Sequence, residues 1–73
     1  MAVHIGNEIR RVMEERGQTV TWLSHEYGCS RVNMYKIFDR PSIDTLALQR
    51  LSLILRYDFF RCYSEEVERR IEK

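Results

Sequence analysis

Proline occurs once in these 73 residues and glycine three times, so little in the chain interrupts a helix. Strand-type alternation of apolar and polar residues is absent, which excludes a sheet protein. The two cysteines, Cys29 and Cys62, are too few for the disulfide framework of a small secreted domain, and both read as reduced thiols. No signal peptide opens the chain and no run of about 18 apolar residues is present to cross a membrane, so a cytoplasmic location is expected. Catalytic signatures are missing as well: no G-x-S-x-G nucleophile motif and no glycine-rich phosphate loop. His25 and Cys29 stand four apart, but two ligands are half a zinc site. No enzyme activity, cofactor or metal is expected.

What is present suits a small helical protein. Hydrophobic residues make up 44% of the chain, against a net charge of only +1. A chain of this size buries about 60% of its unfolded surface, so it forms one economical domain. Basic charge is mildly concentrated: residues 1–56 hold eight Lys/Arg and six Asp/Glu, residues 57–73 four and five. Nucleic-acid binding depends on a local basic face, which such totals leave open.

Apolar residues at helical spacing divide the chain into segments. Ile5, Ile9, Val12 and Met13 mark a first helix over Ile5–Arg16, ended by Gly17. Thr19 caps a second, Val20–Tyr27, whose inner stripe is Val20, Leu23 and Tyr27. Gly28 supplies the turn, and Ser30 caps a third helix, Arg31–Asp39, with Met34, Ile37 and Phe38 inward. Arg40-Pro41 stops that helix. Ser42 is expected to cap a fourth over Ile43–Leu55, so rich in leucine and isoleucine that it reads as packed on all sides. Asp58 is the expected cap of a short fifth helix through Phe59, Phe60 and Tyr63. Ser64 then looks like another cap, which makes residues 65–73 a helical extension or a tail. Val67 and Ile71, with Phe59, Phe60 or Tyr63, form either an apolar patch for a partner or further core.

Two short helices around a glycine turn are the signature of a helix-turn-helix, whose second helix in DNA-binding versions enters the major groove. The outward residues of the third helix are Arg31, Val32, Asn33, Tyr35 and Lys36. Arginine and lysine pair with guanine edges, asparagine with adenine, and a small apolar group with the thymine methyl. No acid interrupts this face before Asp39. Arg10, Thr19, Thr21, Ser30 and Arg40 are candidate contacts to the DNA backbone. Trp22 is either a partly buried indole on a neighbouring helix or a further backbone contact.

Over residues 5 to about 56 the sequence resembles the lambda-repressor-like, or Xre, family. The resemblance rests on I-G-x-x-I-R, then G-x-T, then L-S-x-x-Y-G-C-S-R-x-x-M-Y-K-I-F, and finally P-S-I-D-T-L. It implies a compact five-helix domain in residues 1–64 that binds operator DNA, commonly as a homodimer. It further implies base reading by Arg31, Val32 and Lys36, with Ser30 and Asn33 toward the backbone. This chain departs from the family at three places. Val20 stands where a phosphate-touching glutamine is common. Met13 and Phe38 replace an Arg–Glu pair, for which a sulfur–aromatic contact is the expected substitute. The loop at Arg40–Ser42 is short, which leaves Arg40 as its phosphate grip. The expected function is a small transcriptional regulator, with a protein-interaction module such as a toxin-neutralising antitoxin, binding through residues 59–73, as the alternative.

Overall fold

The computed structural model describes residues 2–72, in which the chain forms five helices and, among the described residues, no strand. They are α1 (Ile5–Glu15), α2 (Val20–Tyr27), α3 (Arg31–Phe38), α4 (Thr45–Leu55) and α5 (Phe60–Ile71). Each of the first four starts on a side chain that accepts from an otherwise orphaned backbone N–H. His4 Nδ1 accepts from Asn7 at 3.1 Å, Thr19 from Trp22 at 3.1 Å, Ser30 from Asn33 at 3.1 Å, and Asp44 from Ala47 at 2.8 Å.

One core joins α1 to α4. Ile5, Ile9, Val12 and Met13 of α1 meet Leu23 of α2, Met34 and Phe38 of α3, and Leu48, Leu51 and Leu55 of α4. Phe59, just ahead of α5, is fully buried in the same cluster. Met13 and Phe38 thus share one core.

Three expectations are corrected. The fourth helix begins at Thr45 and not at Ile43, because the Asp44 carboxylate caps it; Ser42 lies outside in the loop. That helix is not enclosed on all sides either: Leu46 and Leu53 are 65% and 72% exposed. A five-helix body of this size supplies neighbours for only one stripe, Leu48, Leu51 and Leu55. Finally, no break occurs at Ser64. Asp58 accepts from the Phe60 N–H at 3.0 Å, and α5 then runs through Ser64 as one 12-residue helix, since no glycine or proline interrupts it. Phe59 belongs to the core and is lost from the candidate partner patch.

Long-range contacts tie the helix ends together. The first N–H groups of α1, Ile5 and Gly6, donate to the Pro41 and Arg40 carbonyls at 3.0 and 2.9 Å. At the other end, Arg16 donates to the Leu55 and Arg56 carbonyls at 3.1 and 2.9 Å, closing the C-terminus of α4. Arg56 there takes positive φ, 53°, a left-handed conformation more often given to glycine.

Ser24 is the one buried polar side chain without a partner among the described residues: it is 3% exposed and its hydroxyl makes no hydrogen bond. An unmet buried hydroxyl costs about 1–3 kcal/mol. Ser24→Ala is therefore expected to raise stability by about 1 kcal/mol, read as a higher denaturant midpoint with unchanged slope. A lower midpoint would mean that the hydroxyl is satisfied in solution.

Candidate nucleic-acid interface

The turn between α2 and α3 is built by backbone chemistry. Gly28 has φ 89°, which glycine adopts without steric cost, and the Gly28 and Cys29 N–H groups both donate to the Ser24 carbonyl, at 2.9 and 3.0 Å. Arg50, from α4, closes the same end: its guanidinium donates to the Tyr27 carbonyl at 2.6 Å and lies 4.2 Å from the centre of the Tyr27 ring. This clasp spans 23 residues of sequence. Arg50→Ala removes a charged hydrogen bond and a stacked cation, so a loss of about 1–2 kcal/mol in thermal or denaturant melts is expected. Arg50→Lys restores only part of it, because an ammonium stacks and forks less well. Full stability in both variants would show the clasp to be dispensable.

The outer face of α3 is open. Arg31, Val32, Asn33, Tyr35 and Lys36 are all exposed, Val32 at 65%. Met34 and Phe38 are buried on the opposite side, and Ile37 is half-buried between the two. Every ion pair among the described residues lies elsewhere: Arg10 with Glu14, Arg11 with Glu8 and Glu15, and Arg69 and Arg70 with Glu66. Among the described residues, Arg31, Lys36 and Arg40 have no carboxylate partner. Thr19 and Thr21 are exposed at the start of α2, Ser30 at the start of α3, and Arg40 in the loop beyond the other end of α3. The Thr19 and Ser30 hydroxyl oxygens accept cap hydrogen bonds and keep their own protons for an outside acceptor.

Two candidate contacts have other employment. Arg10 pairs with Glu14 at 3.7 Å and sits 5.9 Å from the Tyr35 ring centre and 5.6 Å from that of Phe38. It bridges α1 to α3 and holds the Tyr35 ring, which itself stands edge-on to Phe38 at 6.0 Å. Trp22 is half-buried against the core and lines a cleft with Ile54, Leu55 and Arg56, so its indole is turned toward α4. Trp22 thus takes the first of its two expected places, on a neighbouring helix, whereas sequence spacing does not identify the destination of Arg10. Arg16 and Arg50 were also invisible as structural residues, since in the sequence a distant carbonyl partner leaves no local sign.

The remaining chemistry is quiet. Burial pushes the Cys29 thiol above its ordinary range, only partly offset by Arg50, and burial with Glu8 nearby does the same for Cys62. Both cysteines are free thiols. Glu8 and Glu15 hold the Arg11 guanidinium firmly protonated, while the hydrogen bond from Arg70 keeps the Glu66 carboxyl below the usual range. Among the described residues no group of three His, Cys, Asp or Glu side chains is placed to hold a metal, and no helix is long and apolar enough to cross a membrane. No family model, curated protein or solved structure matches the chain.

Proposed function

We propose that this chain binds double-stranded DNA in a sequence-dependent way, as a small transcriptional regulator of the lambda-repressor-like helix-turn-helix type, with α3 in the major groove. The observation that carries the reading is the outer face of α3: two cations and an asparagine, unpaired by any acid, around an exposed valine and tyrosine. An eight-residue helix is about 12 Å long, and the major groove is about 12 Å wide. Arg31 and Lys36 then reach base edges, Val32 a thymine methyl, and Asn33 an adenine or the backbone. Thr19, Thr21, Ser30 and Arg40 hold phosphates, the two cap hydroxyls donating beside helix N-termini whose dipoles favour anions. Arg10 acts from behind, by holding Tyr35.

A unit of this size makes a small interface, so two copies on half-sites about 34 Å apart are expected. Binding that releases counterions weakens steeply with salt, with a slope of about −0.9 for each phosphate neutralised. Fluorescence anisotropy on a labelled duplex over a salt series tests this. The reading predicts a steep slope that becomes shallower by about one unit on Arg40→Ala. Binding indifferent to salt would contradict it.

A further inference from the structure

The end of α1, the start of α2 and the end of α4 enclose a cleft of about 220 Å³ that the proposed DNA contacts do not use. Arg16 and Gln18 line one wall, Trp22 a second, and Ile54, Leu55 and Arg56 the third. None of them lies on α3. The lining holds two cations and no acid. The acids next to those cations in the sequence are engaged elsewhere: Glu15 pairs with Arg11, and Asp58 accepts from the Phe60 N–H.

The two arginines differ in what holds them. Arg16 is fixed, its Nε donating to the Leu55 carbonyl at 3.1 Å and its Nη2 to the Arg56 carbonyl at 2.9 Å. Those bonds use two of the five N–H groups of a guanidinium, both on one edge, and the edge formed by Nη1 and Nη2 keeps donors for an outside acceptor. A cation that meets the last carbonyls of a helix answers its dipole, which accounts for Arg16. Arg56 has no such account. Its backbone takes φ 53°, where glycine is the unstrained residue, and its exposed side chain has no carboxylate partner among the described residues. Two guanidinium groups in one cleft repel each other until an anion joins them. The half-buried Trp22, with Ile54 and Leu55, gives the same cleft an apolar wall.

We propose that this cleft binds a small aromatic carboxylate. A guanidinium meets a carboxylate through two parallel N–H···O bonds, and one already held in place loses little freedom in making them. Arg16 supplies the fixed fork, Arg56 the second charge, and the indole with Ile54 and Leu55 the surface on which a ring lies. Size limits the ligand. Drug-sized molecules occupy pockets of about 300–1,000 Å³, so this smaller cleft takes a single ring with its acid group. A bare inorganic anion would leave the apolar wall unused. Because the site stands apart from α3, its occupation is read without DNA, and it stands or falls independently of the DNA-binding account.

Trp22 is the one tryptophan of the chain and lines the cleft, so its emission reports occupation directly. Benzoate is the probe. Titrated into the intact chain, it is expected to change Trp22 emission saturably in the millimolar range, as suits a ligand of few atoms. Benzamide keeps the ring without the charge and acetate the charge without the ring; each is expected to bind more weakly than benzoate by about tenfold or more. Arg56→Gln should weaken benzoate by about tenfold while the circular-dichroism melt stays that of the parent, because the carbonyl of residue 56 still accepts from Arg16. Arg56→Lys restores part of the affinity, since it returns the charge without the fork. A response to benzoate that never saturates overturns the inference. So does benzoate binding that Arg56→Gln leaves unaltered, or that benzamide, acetate or inorganic phosphate matches.

Discussion

Gly6→Ala is expected to destabilise the fold by about 3 kcal/mol or more, lowering the melting temperature by about 12 °C or more. The added Cβ would stand 2.2 Å from the Phe38 carbonyl oxygen, 2.5 Å from its carbon and 2.6 Å from the Ile37 carbonyl oxygen. All three are backbone atoms, so no side-chain rotation relieves the contact. Separating α1 from the end of α3 would also stretch the Gly6–Arg40 and Ile5–Pro41 hydrogen bonds and loosen buried Phe38. A domain of this length holds only about 4–11 kcal/mol in total, so the loss is a large share. The consequence reaches the proposed DNA-binding face, because the same approach sets where α3 ends and Arg40 begins. Thermal melts with duplex-binding assays check it. A variant as stable as the parent would mean that α1 and α3 are not in backbone contact.

Arg31→Ala is expected to relax sequence preference at one base pair, by about 1–3 kcal/mol, or roughly five- to 150-fold between the preferred and the replaced base. The guanidinium is free to make a forked contact because no carboxylate holds it, and it lies in the first turn of α3, the part of a recognition helix that meets base edges. The stability of the fold should hardly change, since the side chain is exposed and makes no intramolecular bond. Arg40→Ala should behave differently, weakening all duplexes alike. The check is the affinity of each variant for a preferred duplex and for single-base replacements of it. Equal loss across all sequences on Arg31→Ala would reassign that residue to the backbone.

Much of this architecture is legible in the sequence where the determinant is local. Thr19, Gly28 and Ser30 mark the ends of α2 and α3 because capping and positive φ act over three or four residues. The stripe of α1 and the outward set of α3 follow from helical spacing in the same way. Where two local signals compete, the reading fails: Ser42 and Asp44 are both good caps, and the loop that meets α1 through its Arg40 and Pro41 carbonyls favours the second. Ser64 is a cap by composition, yet an uninterrupted helix passes through it. The exposure of Leu46 and Leu53 depends on how many neighbours α4 has, which composition does not carry. The arginines are the least legible. Arg10, Arg16 and Arg50 go to rings and carbonyls of other helices, whereas Arg31 and Arg40 remain open to solvent, and nothing local separates the two groups. The glycine of I-G-x-x-I-R appears as a motif letter, and only the backbone of α3 beside it gives the reason.

Selection of bound duplexes from a random pool by the intact chain addresses the central claim most directly, namely that the open face of α3 reads DNA sequence. The account predicts an enriched site in parental selections, with information lost at a defined base pair when Arg31→Ala is selected in parallel. Duplexes recovered with no sequence preference over the starting pool would contradict it.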